Sequence, residues 1–196
     1  SEVQWVRSKK GAFVRDQSVF RDQLSDDSNA QFAIERNRYH LYVSGACPWA
    51  HRTLLVRQLF GLEDFVSVST VHPLMMEHGW VFSGPFADEL YGVQKLHDIY
   101  VKADAQYTGR VTVPILYDRQ SEKIVNNESS EIIRMFNTVA PRTKRLGLDL
   151  YPSHLQGDIN AWNERIYHGL NNGVYRCGFA TTQAAYEAAV HQLFAT

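Results

Sequence analysis

The chain has 196 residues, 44% of them hydrophobic, which is an ordinary composition for a globular protein. Its formal net charge is −1, so no excess of positive charge favours binding to nucleic acid or to an anionic membrane surface. No apolar run approaches the ~20 residues of a membrane span, and the N-terminal residues lack the hydrophobic region of a signal peptide, which together predict a cytoplasmic protein.

The two cysteines, Cys47 and Cys177, are too few to form a disulfide scaffold in a chain of this size. Neither has a second cysteine or a histidine at zinc-ligand spacing, and the eight histidines are scattered, so no metal site is expected. Cys177 has no motif around it that assigns a role, and we interpret it as an ordinary structural residue.

Residues 1–38 alternate between polar stretches and isolated apolar positions, which is typical of an extension lying over a globular body. Within it, the polar run at 25–29 (SDDSN) is predicted to be an exposed loop. The isolated apolar positions are Trp5, Val6, Phe13, Val14, Phe20 and Leu24.

A strand–helix–strand unit follows. Residues 39–44 (YHLYVS) are rich in strand formers, and residues 65–70 (FVSVST) form a second such run. Between them, Pro48 suits the first turn of a helix, and Gly61 suits its end. Two strands joined by a helix begin a parallel sheet, so the fold class is predicted to be α/β.

The middle of the chain is predicted to complete this sheet. A helix is expected at 90–103, inside an otherwise long loop spanning 71–109. Residues 111–117 (VTVPILY) are predicted to be a strand, in which Pro114 indicates either an edge position or a special bend. A short strand at 123–125 and a helix at 129–137 follow.

After Pro141 the composition changes to that of a linker, and two helices are predicted beyond it, at 155–170 and 182–195. The first carries an apolar stripe with the spacing of one helix face. The sequence therefore predicts an extension (1–38), an α/β domain (39–140) and the beginning of a helical domain (141–196). The stripe consists of Leu155, Ile159, Trp162, Ile166 and Leu170.

Cys47 is the strongest candidate for a reactive residue. It follows a strand and precedes a helix, where unpaired N–H groups and the helix dipole favour the thiolate, the nucleophilic form of cysteine. The alternative is a buried structural cysteine. In the motif Cys-Pro-Trp-Ala, position 50 is alanine, so Cys47 can form a mixed disulfide but has no neighbouring thiol to resolve it.

Two other positions suggest a ligand site. A cis bond before Pro114 would present the backbone groups of Val113 to an extended peptide-like ligand, although Pro114 could also be a simple edge-strand proline. Glu128 and Ser129 stand where a loop enters a helix. Ser129 and the helix N–H groups suit a carboxylate, and Glu128 suits an ammonium group, although helix capping alone is the alternative.

These features, in this order, resemble a glutathione-binding thioredoxin-like domain. More closely, the chain resembles the glutathionyl-hydroquinone reductases, which are the Xi class of glutathione transferases, over nearly its whole length. The segments that carry the resemblance are SGACPWAHRT, PLMMEHGW, GRVTVPILYD, NNESSEIIRMFN and NNGVYRCGFATTQ.

The resemblance implies roles for particular residues. Cys47 would be the catalytic nucleophile, and Tyr175 would donate or accept the proton, whereas the residue pattern alone would make Tyr175 a packing residue. The remaining residues implied to bind glutathione are Trp80, Arg110, Val111, Thr112, Val113, Glu128 and Ser129. No metal is implied.

The implied activity is the removal of glutathione from glutathionyl-hydroquinones through a Cys47–glutathione disulfide that a second glutathione resolves. A general thioltransferase or dehydroascorbate reductase needs the same site, and a non-catalytic interaction module is a further alternative. The resemblance also implies a homodimer. Members of the family continue with more helices beyond the position equivalent to 196, so the helical domain is expected to be incomplete in this chain.

Overall fold

The structure, a computed structural model, describes residues 11–15, 17–143 and 147–196. The described residues fall into two compact units, the first comprising 18–143 and 147–149 and the second comprising 11–15, 17 and 150–196. Trp5 and Val6, predicted to lie over the globular body, are outside the described residues. The predicted domain limits stay a prediction.

The first unit contains a four-stranded mixed sheet in the order β2–β1–β3–β4. Its strands are β1 (Tyr39–Ser44), β2 (Val66–Val71), β3 (Ile115–Asp118) and β4 (Lys123–Asn126). β1 pairs in parallel with β2 and antiparallel with β3, which is antiparallel to β4. This sheet, with its helices, confirms the predicted α/β fold of thioredoxin-like type.

Helix α1 (Pro48–Phe60) connects β1 to β2 and has the predicted bounds. Pro48 begins it, because a proline at the first helical position sacrifices no hydrogen bond. Gly61 ends it in a left-handed conformation, with φ of 63°, from which its N–H reaches the carbonyls of the last turn. β2 begins at Val66, one residue later than predicted.

Helix α2 (Leu96–Ala103) is shorter than the predicted helix at 90–103. The buried carboxylate of Asp88 explains the correction, because it accepts hydrogen bonds from the backbone N–H groups of Leu90, Tyr91 and Val93. Gly92 also has φ of 67°. These interactions hold 88–93 in a turn that cannot continue as an α-helix.

The predicted strand at 111–117 is also corrected, because β3 begins only at Ile115. The Val113–Pro114 bond is cis, and both backbone groups of Thr112 bond to a tyrosine hydroxyl rather than to a strand. β3 lies between β1 and β4. The edge interpretation of Pro114 is therefore wrong, and the bend interpretation is confirmed.

Helix α3 (Ser129–Val139) follows β4 and continues into a 3₁₀ turn at 140–142. The described residues 18–22 run along the outer side of β4. Asp22 N–H donates to the Val125 carbonyl (3.0 Å) and Asn127 N–H donates to the Phe20 carbonyl (3.1 Å). This part of the predicted extension therefore covers the sheet edge that β4 would otherwise expose.

The second unit contains α4 (Gln156–Ile166), α5 (Asn172–Gly178) and α6 (Gln183–Phe194). A π-helical segment, Tyr167–Asn171, joins α4 to α5, so the predicted helix at 155–170 continues further than expected. Most of the apolar stripe is exposed in the described structure: Leu155, Trp162, Ile166 and Leu170. Among the described residues, the helices are all too short or too polar to cross a membrane.

Candidate active site

Cys47 lies at the carboxyl end of β1 and is the N-cap residue of α1. Its backbone is extended, with φ of −102° and ψ of 113°, and its carbonyl already accepts a helical hydrogen bond from His51 (3.0 Å). The thiol side chain is half-buried and packs against the core. The sequence-based prediction of its position at a strand–helix junction is therefore correct.

The thiol of Cys47 contacts the loop before β3. Its Sγ donates to the backbone carbonyl of Val113 at 3.5 Å. No acceptor for the Val113 N–H lies among the residues that the structure describes. The nucleophile candidate therefore lies directly beside a backbone segment that has a donor available for an extended ligand.

Two tyrosines hold this loop in position. The buried hydroxyl of Tyr100 donates to the Thr112 carbonyl (3.0 Å) and accepts from the Thr112 N–H (3.1 Å). Tyr107 donates to the Arg110 carbonyl at 2.6 Å. Burial raises the pKa of Tyr100, and burial raises that of Tyr107 to about 12, so both hydroxyls stay protonated donors. Sequence reasoning missed both, because aromatic residues are most often packing residues.

Glu128 and Ser129 lie together at the start of α3. The Glu128 carboxylate caps the helix by accepting from the N–H and hydroxyl of Ser130, at 3.3 Å and 3.0 Å. Ser129 is 3% exposed. Capping, the alternative considered from the sequence, is thus observed, and the ligand role of this pair stays a prediction.

Arg52 connects α1 to this pair and was missed from the sequence. Its guanidinium bonds to the hydroxyl of Ser129 through Nε (3.0 Å) and Nη2 (2.8 Å), and Nη2 lies 3.7 Å from Glu128 Oε1. The same group stacks over the ring of Trp49, 5.1 Å from its centroid. Arg52 lies one helical turn after Pro48, and this spacing could have indicated from the sequence that its side chain lies near the start of α1 and Cys47.

Ser18 also reaches Glu128, from the segment along β4. Its hydroxyl donates to Glu128 Oε2 at 3.2 Å. Both carboxylate oxygens of Glu128 are therefore hydrogen-bonded, which fixes the carboxylate before any ligand binds. No sequence pattern indicated this contact, because 110 positions separate the two residues.

The other predicted binding residues are less closely tied to Cys47. Trp80 is partly buried, packs against the core and accepts a hydrogen bond from Leu96 N–H at its carbonyl (3.0 Å). Arg110 and Val111 belong to the tyrosine-held loop described above, and Val111 packs against the core. A role for these three residues in ligand binding stays a prediction.

Tyr175 lies on α5 of the second unit, among aromatic residues. The guanidinium of Arg15 lies 4.4 Å from the centroid of its ring, and the rings of Phe13 and Phe179 stack against it at 6.0 Å and 5.9 Å. Phe13 is buried. The packing interpretation of Tyr175 is therefore observed, and its role as proton donor stays a prediction.

Within 11–15, 17–143 and 147–196, no three His, Cys, Asp or Glu side chains converge in a way that could hold a metal ion. The candidate site instead combines a thiol, backbone groups of the cis-proline loop and a helix start with paired charges. Such a site suits a thiol-containing peptide-like ligand with a carboxylate and an ammonium group.

Known proteins are similar to this chain in both sequence and fold. Residues 46–139 match the family described as "Glutathione S-transferase, N-terminal domain". The glutathionyl-hydroquinone reductase YqjG of Escherichia coli (strain K12) is 50% identical over 199 residues, which cover 96% of this chain and 61% of YqjG.

Solved structures agree. The crystal structure of the glutathione-S-transferase Xi from Phanerochaete chrysosporium matches with a TM-score of 0.89 at 49% identity, covering 93% of this chain and 64% of that chain. The glutathione-bound structure of YqjG, a glutathione transferase homolog, matches with a TM-score of 0.84 at 49% identity, covering 90% and 61%. This chain thus spans less than two thirds of the length of these proteins.

The fold and the sequence point to the same class of protein. Residues 46–139 have the thioredoxin-like N-terminal domain of the glutathione transferases. Over nearly its whole length, the chain is similar to glutathione transferases of the Xi class and to the glutathionyl-hydroquinone reductases. The resemblance found in the sequence segments is confirmed.

Proposed function

We propose that the protein removes glutathione from glutathionyl-hydroquinones, using Cys47 as the nucleophile and glutathione as co-substrate. The observation that carries the proposal is the Cys47 thiol at the start of α1, beside the Val113 carbonyl, in a motif with alanine at position 50. The 50% identity to a protein named glutathionyl-hydroquinone reductase supports this choice of reaction.

In the first step, the Cys47 thiolate attacks the sulfur of the thioether. A sulfur–sulfur bond forms between Cys47 and glutathione, and the bond between that sulfur and the aromatic ring breaks. The ring carbon takes the electron pair together with a proton, and the hydroquinone leaves. In this proposal Tyr175 supplies the proton.

In the second step, the thiolate of another glutathione attacks the glutathione sulfur of the mixed disulfide. Glutathione disulfide leaves and the Cys47 thiolate is restored. Over the two steps, the thioether sulfur and one glutathione thiol become the disulfide, and the ring carbon is reduced from C–S to C–H. An internal resolving step at position 50 is impossible, because that residue is Ala50. Kinetics of the ping-pong type are therefore expected, with the hydroquinone released first.

Glutathione is proposed to lie extended between the two halves of the site. Its cysteinyl backbone would bond to the backbone of Val113, whose N–H has no acceptor among the described residues. Its γ-glutamyl end would lie at the start of α3, with the ammonium at Glu128 and the carboxylate at Ser129. Trp80 and the 110–112 segment would line the same site.

The test is intact-mass analysis after incubation with a glutathionyl-hydroquinone and no free thiol. The wild-type chain is expected to gain the mass of one glutathione, and Cys47→Ser is expected to gain none and to have no turnover. Cys177→Ser is the matched control and should behave as the wild type. If Cys177→Ser instead accumulates the Cys47–glutathione adduct and stops turning over in the presence of glutathione, the single-thiol mechanism is contradicted.

The same assay separates the alternative activities. A general thioltransferase would turn over a small mixed disulfide faster than the glutathionyl-hydroquinone, and an interaction module would form no adduct with either. The two cysteines of the chain are not joined by a disulfide in the structure, which supports a reducing compartment and hence the proposed cytoplasmic location. The homodimer stays a prediction.

A further inference from the structure

The side chain of Arg52 approaches Ser129 in a way that restricts what the serine hydroxyl can do. Nε and Nη2 of Arg52 lie 3.0 Å and 2.8 Å from Ser129 Oγ. A guanidinium only donates hydrogen bonds, so the hydroxyl oxygen is the acceptor in both. With both its lone pairs occupied, Ser129 has only its O–H hydrogen left, and it must donate that hydrogen elsewhere.

Arg52 is itself held in this orientation. The Trp49 ring lies under its guanidinium, at 5.1 Å, and the Glu128 carboxylate lies 3.7 Å from Nη2. Its side chain is 31% exposed, so the guanidinium is partly shielded from contact with water. The planar guanidinium can stack on an aromatic ring and donate two parallel hydrogen bonds at once, which a lysine ammonium cannot do.

We infer that Arg52 is a positioning residue, which aims the Ser129 hydroxyl at the α-carboxylate of the γ-glutamyl group and places a positive charge behind it. This inference rests on the proposed function and deepens it, because it assigns the selectivity for that carboxylate to a residue outside the Glu128–Ser129 pair. Arg52 acts through Ser129, whereas Glu128 serves the ammonium group of the same ligand.

The experiment compares three thioethers of one hydroquinone as the first substrate, with glutathione as the second thiol throughout, because the γ-glutamyl group of the thioether is the one that would lie at the start of α3. One thioether carries glutathione and the other two carry analogues of it, and each KM refers to the thioether. The 4-aminobutyryl analogue (4-aminobutyryl-cysteinylglycine) lacks the α-carboxylate, and the glutaryl analogue (glutaryl-cysteinylglycine) lacks the α-amino group. In the wild type, KM is expected to be at least about tenfold lower for glutathione than for the 4-aminobutyryl analogue, as loss of a charge-assisted hydrogen bond predicts.

Arg52→Gln is expected to raise KM about tenfold for glutathione and for the glutaryl analogue. It should leave KM for the 4-aminobutyryl thioether, and kcat with all three thioethers, close to the wild-type values. Ser129→Ala should give the same pattern, and adding it to Arg52→Gln should have little further effect. Arg52→Lys should recover part of the lost selectivity.

Arg57→Gln is the matched control, because Arg57 is on the same helix but bonds to the Val66 carbonyl instead. It should not change the ratio of the KM values. If the wild type shows no preference for glutathione over the 4-aminobutyryl analogue, the proposed γ-glutamyl site fails. If the wild type shows the preference and Arg52→Gln or Ser129→Ala keeps it in full, the assignment of Arg52 is overturned. Should Arg52→Gln not fold, Ser129→Ala and Arg52→Lys decide the question.

Discussion

Asp118, the last residue of β3, forms a buried ion pair with Arg38. Arg38 reaches it through Nε (2.9 Å) and Nη2 (2.7 Å), and Ser121 donates to the same carboxylate at 2.7 Å. Burial alone would raise the pKa of Asp118, but these hydrogen bonds outweigh it and hold the pKa below its usual value. The charges are well satisfied, and removal of the Asp118 charge would leave the buried guanidinium of Arg38 with Glu35, whose side chain is 45% exposed, as its remaining anionic partner (2.8 Å).

Asp118→Asn is expected to lower the free energy of unfolding by about 3 kcal/mol, because it leaves the guanidinium of Arg38 buried against a neutral amide. Asp64→Asn is the matched control, since Asp64 pairs with Arg36 at 3.2 Å on the surface and its side chain is 79% exposed. That change should cost less than about 1 kcal/mol. Urea unfolding that gives equal losses for both variants would contradict this account.

Among the structural elements, the segment 11–15 shows how the N-terminal residues join the second unit. The carbonyl of Gly11 accepts from the N–H (3.1 Å) and the hydroxyl (3.3 Å) of Thr181. Thr182 follows and caps α6 by accepting from Ala185 N–H. Gly11 has φ of +79°, and a Cβ atom there would lie 2.6 Å from Thr181 Oγ1. Both its conformation and its surroundings therefore favour glycine.

Gly11→Ala is expected to destabilise the second unit by roughly 1–3 kcal/mol, through the strained φ and the contact with Thr181. Gly178→Ala is the control. Its Cβ would have no atom within 4 Å, and it lies in α5, where alanine is the better helix former. The measurement is hydrogen exchange of the α6 amides together with urea unfolding. Equal protection in both variants would show that segment 11–15 does not support this unit.

For the molecule as a whole, the buried side chain of His40 makes the free energy of unfolding depend on pH. It is fully buried in β1, and its ring nitrogens lie 2.7 Å from Ser67 Oγ and 2.8 Å from Ser69 Oγ. Burial is the largest cause that lowers its pKa from 6.5 to about 4. Between these values the unfolded chain binds a proton that the folded chain does not, so acid favours unfolding.

The free energy of unfolding should therefore be constant above about pH 6.5 as far as His40 is concerned, and it should fall by about 3 kcal/mol on going from there to pH 4. His40→Gln should have a shallower dependence on pH over this range, whatever its stability at neutral pH. His97→Gln, at an exposed position, should keep the wild-type slope. If the free energy of unfolding of His40→Gln changes with pH in parallel with that of the wild type, the prediction is wrong.

The sequence by itself determined the features that depend on neighbouring residues. The composition of β1 and the Pro48 and Gly61 signals at the two ends of α1 are local, and the structure has both elements where they were predicted. Cys47 at the strand–helix junction follows from the same local pattern. The family segments added the candidate residues around it, whose roles stay predictions.

The tertiary structure alone decided the features that depend on contacts between distant residues. The hydroxyl of Tyr100, 12 positions earlier, holds Thr112 outside the β3 ladder. The late start of α2 has a more local cause, because Asp88 bonds to backbone groups 2–5 positions away and Gly92 has φ of 67°. The ion pair of Arg52 with Glu128 and the hydrogen bond from Ser18 to Glu128 join residues far apart in the sequence and form only in the folded chain. Helix and strand patterns repeat over a few residues, whereas a hydrogen bond between residues about 80 or more positions apart leaves no periodic trace, because only packing brings its two groups together.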